Sequence, residues 1–501
     1  MAIPKKAVLG ALWSISTGYG ARAVTLGTSL LLARYLAPAA YGEVMLATVL
    51  VATASTVSSL GLGQYVVAKR APAEVVSQAT VWSIVLAAAA LAVVVLLRVP
   101  LCTFFNADHG ADYLPWLALA TLADRVVFMP DRILYRDMRF RTASLSRSAG
   151  EVVYGVSTVV FAAMGSGAWS IVYGTFLRSG LKFVVLCFAV DRREWLSLRR
   201  LDPAQTRDFV RFGWPITIAQ LSEVASRRWD NLLMGRLFGP GVAGMYNYAY
   251  NLADIPATQI GESIGDVLVP SFAEMDRPRR RAALLQAITL VTFVVCPLAL
   301  GLGAVAPTLV SSTFDARWAP MWPMLAILSV LSVVRPVAWI VAPYLQAYDK
   351  PEVQMRLEVA KTALLLVAFV VLGHLGGPLW ACAAPGVAFT FNALTNLWVV
   401  KRMEGVPISK MLLPLLPPLV ACVPMVGAVL AIRAGLAHVG PLPRFTGLAA
   451  ECVGGGVVFV GAALLIAKSA SRELIGLLRS RRHTTADGPG GEGGASEQPA
   501  A

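Results

Sequence analysis

Long apolar stretches, separated by short charged segments, follow one another along almost the whole chain. Their length of about 20 residues or more, without period-two alternation, predicts membrane-spanning helices and argues against the strands of a β-barrel. The fold class we predict is therefore an all-α polytopic membrane protein with about fourteen transmembrane helices. The predicted segments are approximately residues 9–35, 42–68, 77–98, 113–135, 148–165, 168–190, 210–237, 243–272, 283–304, 319–347, 355–373, 379–400, 411–433 and 446–468.

Basic residues are concentrated in alternate loops between these segments, for example Lys69 and Arg70, Arg192 and Arg193, and Lys401. The loops on the opposite side hold few basic residues. By the positive-inside rule, the basic loops face the cytoplasm. We therefore expect a multi-pass protein of the bacterial inner (plasma) membrane with both termini in the cytoplasm. The few basic residues of the opposite side are Arg98, Arg317, Arg433 and Arg444.

The composition agrees with a membrane protein and narrows the function. Of 501 residues, 57% are hydrophobic and 14% are charged, whereas soluble domains have about 25% charged residues. The net charge of +14 is spread over short clusters, so it does not predict a nucleic-acid interface. The six cysteines include no C-x-x-C pair, so we expect neither a metal site nor a redox site.

One short pattern occurs twice, in residues 31–42 and again 202 residues later in residues 233–244. In each copy an arginine, a proline and a glycine follow one another at intervals of four residues. Six predicted helices separate the copies, so the two halves should have the same orientation and form two like-oriented six-helix bundles. The residues are Arg34, Pro38 and Gly42 in the first copy, and Arg236, Pro240 and Gly244 in the second.

The repeat and the charge pattern together predict five regions. Residues 1–190 form an N-terminal six-helix lobe, and 210–402 form a C-terminal six-helix lobe. Residues 191–209 are a cytoplasmic linker with an interfacial helix, in which Asp202 is the N-cap and Pro203 the first helical residue. Residues 403–470 hold helices 13 and 14, and 471–501 form a cytoplasmic tail that is disordered at its end.

Several charged residues fall inside the predicted spans, where a charge normally faces a water-filled cavity or a partner. The arginines could bind a pyrophosphate or an acidic sugar through paired donors. We therefore name as candidate substrate-binding residues Arg22, Arg125, Arg178, Arg227, Arg228 and Arg335. The candidate ion-coupling carboxylates are Glu223, Asp230 and Asp254. We predict no catalytic residue and no cofactor.

A purely structural interpretation stays open for these charges. Glu223 with Arg227, and Glu358 with Lys361, have the spacing of ion pairs within one helix. Asp254 could be the structural partner of a neighbouring arginine. Arg22, Arg228 and Arg335 have no acidic residue three or four positions away, which favours a place in the cavity. Aromatic residues that could instead stack on sugar rings or anchor at the interface are Trp229, Tyr246, Tyr248 and Tyr250.

The motifs also carry a family resemblance. The stretch from Arg34 to Gly42, the stretch from Trp229 to Pro256 and the segment Gly167–Gly174 resemble the polysaccharide transporter family, which belongs to the MOP exporter superfamily. This resemblance implies a flippase for undecaprenyl-pyrophosphate-linked oligosaccharides, the precursors of O-antigen or exopolysaccharide. It further implies coupling to H⁺ or Na⁺, and a polysaccharide polymerase and a chain-length regulator as partners.

Other functions compete with this one. An ion-coupled multidrug extrusion antiporter would need an acidic cavity, whereas the deep charges here lean towards arginine. The sequence barely distinguishes a lipid II flippase of the same fold from a flippase for lipid-linked oligosaccharides. A membrane glycosyltransferase or polymerase would need acidic residues in a sizeable outer loop, and the predicted outer loops are short. A non-transporting scaffold for polysaccharide assembly would not need arginines in the membrane.

Overall fold

The computed structural model describes residues 20, 24–25, 27–197, 201–254, 275–347, 351–438, 443 and 445–466. Within these residues every regular element is a helix. Eight helical runs are long and apolar enough to cross a membrane, which agrees with a multi-pass membrane protein. They are Pro38–Val57, Ala73–Leu96, Trp169–Ala189, Pro278–Thr313, Ala316–Val341, Glu352–Ala381, Leu416–Ala437 and Thr446–Ile466.

The N-terminal half begins with a helical stretch at residues 27–35. The helices that follow are α1 (Pro38–Val57), α2 (Leu62–Ala68), α3 (Ala73–Leu96), α4 (Arg98–Phe104), α5 (Gly110–Val126), α6 (Phe128–Arg136), α7 (Phe140–Ala163), α8 (Trp169–Ala189) and the short α9 (Arg192–Trp195). The predicted segments 42–68 and 113–135 are each two consecutive helices. In this half α7 packs along α8, while α1 packs against α3 and α5.

The C-terminal half repeats this alternation of long and broken helices. Its α-helices are α10 (Pro203–Val224), α11 (Asp230–Phe238), α12 (residues 240–254), α13 (Arg277–Thr313), α14 (Trp322–Leu331), α15 (Arg335–Ala347), α16 (Pro351–Ala381), α17 (Ala384–Glu404), α18 (Ile408–Leu412), α19 (Leu416–Ala437) and α20 (Thr446–Ile466). A π-helix, Ala225–Trp229, joins α10 to α11. The 3₁₀-helices are Ala316–Met321, Ser332–Val334 and Leu413–Leu415.

The helix α10 begins where the sequence predicts. The Asp202 carboxylate accepts a hydrogen bond from the Ala204 amide at 2.9 Å, and Pro203 occupies the first turn, where its missing N–H is not needed. However, residues 203–209, which the sequence analysis assigns to a linker with an interfacial helix, are the first turns of α10 itself. The helix continues to Val224 although Pro215 lies inside it, where the missing N–H of proline leaves one backbone carbonyl without its usual partner.

The two copies of the repeat touch each other. A Cβ atom at Gly42 would lie 1.9 Å from the carbonyl oxygen of Pro240, and one at Gly244 would lie 2.3 Å from that of Pro38. Since real Cβ contacts are never this short, only glycine lets the α1 and α12 backbones approach so closely. The contact is reciprocal, as expected for two copies related by a pseudo-twofold axis. We call it the repeat-turn contact.

An aromatic cluster packs around the repeat-turn contact. Tyr41 donates a hydrogen bond to Asn247 Oδ1 at 2.9 Å, and Tyr248 donates one to the Ser29 carbonyl at 3.0 Å. The Tyr248 ring lies 4.7 Å from that of Trp318, whose indole N–H donates to the carbonyl oxygen of residue 33 at 2.9 Å. These bonds join the N-terminal helices to α12 and to the segment before α14, so they close this end of the molecule.

The helices α19 and α20 are attached to α13 by a largely buried ion pair. Arg433 on α19 makes two hydrogen bonds to the Glu451 carboxylate on α20, at 3.1 and 2.9 Å, and it also donates to the Ala304 carbonyl of α13. Thr308 donates to Glu451 at 2.6 Å. Arg433, the last residue of the predicted span 411–433, thus lies within α19, which continues to Ala437. Its charge interrupts the apolar run, but its partner Glu451, which is 1% exposed, keeps it within the helix.

Candidate functional site

A cavity of about 470 Å³ opens between the π-helix and the helices α10, α12, α15, α16 and α17. We call it the charged cavity, because three acidic and three basic side chains line it together with aromatic and amide groups. The charged, aromatic and amide side chains of its lining belong to Glu223, Arg227, Tyr250, Asp254, Arg335, Trp339, Glu358, Lys361, Phe389 and Asn392. Four predicted site residues thus meet at one cavity, namely Glu223, Arg227, Asp254 and Arg335.

Arg335 lies in the wall of the charged cavity and is only 8% exposed. It forms an ion pair with Asp254 on α12, donates a hydrogen bond to the Tyr250 hydroxyl at 3.0 Å and lies 4.0 Å from the centre of the Phe389 ring. The sequence pattern indicates no acidic partner for Arg335, because no acidic residue lies three or four positions away on the same helix. The partner comes from another helix, as the structural interpretation of Asp254 allows.

The other two ion pairs of the cavity have the spacing that the sequence indicates. Arg227 Nε and Glu223 Oε1 lie 3.4 Å apart. Both side chains are exposed, so the surrounding water weakens the attraction between their charges. Glu358 forms an ion pair with Lys361, and its carboxylate also lies 3.5 Å from the Asn392 amide nitrogen. All three carboxylates that line the cavity therefore have a cationic partner.

The π-helix Ala225–Trp229 lies in the middle of the predicted helix 7 and determines where its two arginines point. A π-turn accommodates one more residue than an α-turn, and such turns are often found at functional sites. Arg227 lines the charged cavity, whereas the next residue, Arg228, is not among the lining residues. Consecutive residues of a helix project in different directions, so a single turn can supply arginines to two different surroundings.

Arg228 faces the N-terminal half. It is exposed, and its side chain forms no hydrogen bond or ion pair with any residue within the described ranges, although its backbone carbonyl accepts a hydrogen bond from the Asn231 side-chain amide at 3.4 Å. Tyr41 and Arg178 are close enough to interact electrostatically with the Arg228 guanidinium. The Arg178 guanidinium lies 3.6 Å from the Glu151 carboxylate and 5.3 Å from the centre of the Tyr154 ring. Arg228 is thus a free donor group near a second arginine whose charge is only partly balanced.

Arg125 has a structural environment. Its guanidinium donates to the hydroxyl of Ser55 at 2.9 Å and to the backbone carbonyl of the same residue, which joins α5 to α1. The Phe128 ring covers its other side, 5.0 Å away. These contacts occupy Nε and one of the two terminal nitrogens of the guanidinium. Arg22 lies outside the described residues.

Asp230 is completely buried at the junction of the π-helix and α11. Its carboxylate accepts hydrogen bonds from the Tyr246 hydroxyl at 2.7 Å, from the Asn231 backbone amide at 2.8 Å and from the Asn231 side chain at 3.0 Å. Three donors satisfy most of its capacity as an acceptor. The structure therefore gives Asp230 a position in the packed interior rather than on the cavity surface.

Some contributors to the site are absent from the sequence-based set. Trp339 and Asn392 line the charged cavity. Neither residue is charged, so neither stands out within an apolar segment as a candidate site residue. Of the four aromatic residues considered as sugar platforms, Tyr246 and Tyr248 are buried in the core and Tyr250 lines the cavity. Trp229 instead donates to Thr53 at 3.2 Å, across the boundary between the two halves.

The membrane-length helices, together with an interior cavity and buried charges, define the class of a membrane transporter. Solved structures share this fold. The lipid II flippase MurJ in its inward closed conformation superposes with a TM-score of 0.75 at 14% identity, covering 93% of this chain and 100% of MurJ. An inward-facing multidrug resistance MATE family transporter of the MOP superfamily gives a TM-score of 0.60 at 14% identity, covering 77% of this chain and 94% of that one.

Sequence comparison identifies the family. The profile described as polysaccharide biosynthesis protein matches residues 31–323, and the chain belongs to this family. The succinoglycan biosynthesis transport protein ExoT of Rhizobium meliloti is 26% identical over 94% of this chain and 95% of its own length. The lipopolysaccharide biosynthesis protein WzxC of Escherichia coli is 23% identical over 85% of this chain and 87% of its own length. The predicted resemblance to polysaccharide exporters of the MOP superfamily is confirmed.

Proposed function

We propose that this chain flips undecaprenyl-pyrophosphate-linked oligosaccharide repeat units across the bacterial inner membrane for the biosynthesis of a surface polysaccharide. The observation that carries the proposal is Arg228, whose side chain lies in a membrane-spanning segment at the boundary of the two halves and has no partner among the described residues. Because a buried or membrane-embedded cation without a partner is unfavourable, such a group is retained where a ligand supplies the negative charge. A pyrophosphate would accept the paired donors of its guanidinium, with Arg178 nearby.

The proposed mechanism is alternating access by two like-oriented lobes of six helices, with helices 13 and 14 outside the repeat. In the orientation predicted from the basic loops, both termini are cytoplasmic and the repeat-turn contact lies on the outer side. The reciprocal approach of Gly42 and Gly244 supports this arrangement, since it joins equivalent positions of the two lobes. The present conformation would then be closed towards the outside.

The charges of the cavity favour this function over a multidrug extruder. An extruder of cationic drugs would need a carboxylate free to receive its substrate, whereas Glu223, Asp254 and Glu358 each have a cationic partner. A lipid II flippase would use the same pyrophosphate chemistry, so only the glycan separates it from the proposed function. We propose no catalytic step. Coupling to H⁺ or Na⁺ would involve the ion pair of Asp254 and Arg335, because separation of the two side chains would make the Asp254 carboxylate available to the ion.

The first test is deletion of the gene in its host, followed by analysis of surface polysaccharide and of lipid-linked repeat units. We expect the polysaccharide to disappear and the lipid-linked units to accumulate on the cytoplasmic leaflet. The wild-type gene should restore export. Arg228→Ala should reduce export at least tenfold, and Arg228→Lys should restore only part of it, because lysine keeps the charge but not the paired donors.

The matched control is Arg279→Ala. Arg279 is a surface arginine whose side chain is 83% exposed, so its loss should leave export unchanged. Expression and monodispersity of every variant are checked after purification. Normal polysaccharide without accumulated intermediate, in a host with no second flippase, would refute the proposed function. Full export by Arg228→Ala would leave the function in place but remove Arg228 from the site.

A further inference from the structure

The charged cavity differs from the surroundings of Arg228 in a way that suggests a separate ligand. The charged side chains that the described residues contribute to its lining are three cations and three anions in three ion pairs, so their charges cancel. A pyrophosphate would gain nothing from the three arginine and lysine charges here, since three carboxylates oppose them. A neutral and strongly hydrogen-bonding ligand fits this balance better.

The polar groups of the cavity match hydroxyl groups. A hydroxyl both donates and accepts, so it needs an acceptor and a donor within reach. Glu223 and Glu358 present partly exposed carboxylate oxygens as acceptors, while Arg227 is an exposed donor on the same wall. A surface that alternates acceptors and donors in this way can bind several hydroxyl groups of one ligand at the same time.

Aromatic rings complete the lining. Trp339 and Tyr250 border the cavity, and both are only partly buried. An indole ring offers a flat apolar surface with a polar edge, which suits the C–H face of a pyranose ring. The volume of about 470 Å³ lies within the usual range of small-molecule sites, about 300–1,000 Å³.

We propose that the charged cavity is the binding site for the neutral sugar part of the substrate, apart from the pyrophosphate at Arg228. This inference rests on the proposed function. The π-helix provides the connection, because Arg227 in the cavity and Arg228 outside it are consecutive residues. Their Cα atoms are about 3.8 Å apart, so one lipid-linked sugar can reach both surroundings at once. Glycan specificity then depends on α15 and α16, whereas the pyrophosphate is held at the boundary of the two halves.

The test uses two probes on purified wild-type protein and variants in detergent. The first probe is the free repeat-unit oligosaccharide prepared from the surface polysaccharide of the host, without lipid or phosphate. The second is inorganic pyrophosphate. Trp339→Ala should weaken oligosaccharide binding about five- to tenfold and leave pyrophosphate binding unchanged. Glu358→Gln should also weaken the oligosaccharide selectively, whereas Arg228→Ala should weaken only pyrophosphate.

Trp398→Ala is the matched control, since Trp398 belongs to the same half but lies outside the cavity and is 51% exposed. It should bind both probes as the wild type does, and thermal unfolding of all variants verifies that they are folded. Wild-type oligosaccharide affinity in folded Trp339→Ala and Glu358→Gln would overturn the inference. So would a wild-type protein that restores export and binds pyrophosphate but not the oligosaccharide. Failure of the wild-type gene to restore export would instead refute the proposed function.

Discussion

Replacing Gly42 by valine should disrupt closure at the repeat-turn contact. The first added carbon would lie 1.9 Å from the Pro240 carbonyl oxygen and 2.7 Å from its carbonyl carbon. Side-chain carbons keep at least 3.0 Å from such atoms, so the α1 and α12 backbones must separate by about 1 Å or more. Neither backbone can yield by rotating a side chain, because both contacting groups belong to the main chain.

The size of the effect follows from the packing. Inserting carbon atoms into a well-packed contact costs about 1–3 kcal/mol, which corresponds to a factor of about 5 to 150 in the balance between closed and open states. Separation would also strain the hydrogen bond from Tyr41 to Asn247. We expect the variant to favour an open repeat-turn end and to export poorly, since a transporter that cannot close this end cannot complete its cycle.

The assay is the distance between two spin labels at exposed positions on the two sides of the contact, residues 35 and 236. Gly42→Val should shift the distribution to longer distances, and Gly244→Val should do the same because the contact is reciprocal. Gly241→Ala is the matched control in the same turn, since a Cβ there would meet its nearest neighbour only at 3.9 Å. If folded Gly42→Val gives the distances and the export of Gly241→Ala, the contact does not control the closed state.

Two further predictions concern buried charges. Asp230→Asn places an amide donor among the donors from Tyr246 and Asn231, so it should lower the free energy of unfolding by about 1–3 kcal/mol. Tyr246→Phe should lower it less. Thermal unfolding in detergent measures this, and an Asp230→Asn protein of wild-type stability without export would instead place Asp230 in ion coupling. Arg433→Met leaves the Glu451 carboxylate buried without its cation and should cost about 3 kcal/mol, whereas the double variant with Glu451→Leu should regain most of this. A double variant no more stable than Arg433→Met would contradict that account.

The hydropathy pattern is sufficient to place the helices but not to pair their charges. Wherever the structure describes a predicted span, that span is largely helical, with breaks such as the turn at residues 58–61, because an apolar run of membrane length has few other ways to satisfy its backbone. The spacing of four residues also identifies the Glu223–Arg227 pair. The partner of Arg335, however, is 81 residues away on another helix, and a pattern within one helix contains no information about which helices are neighbours.

Two other features lie beyond what the sequence pattern can show. The repeat predicts two equivalent turns, but the direct contact between them becomes visible only when the halves are assembled. The π-helix has no composition that distinguishes it from an α-helix, since Ala225–Trp229 contains ordinary helix residues. It is followed directly by Asp230, whose buried carboxylate accepts hydrogen bonds from donors on α11 and α12.

The predicted helix 7, made of α10, the π-helix and α11, is therefore the element through which binding and closure can affect each other. It contacts the N-terminal half through Trp229 and Thr53, at 3.2 Å, and through the hydrogen bond from Ser59 to Gln220, at 3.0 Å. If the halves move apart along this boundary, the distance between Arg228 and Arg178 changes, because the two residues belong to different halves. The charged cavity need not change in the same way, since the described residues that line it all lie in the C-terminal half. A pyrophosphate bound between the two arginines would thus favour one conformation over another, whereas a sugar in the cavity would contribute affinity and specificity in both.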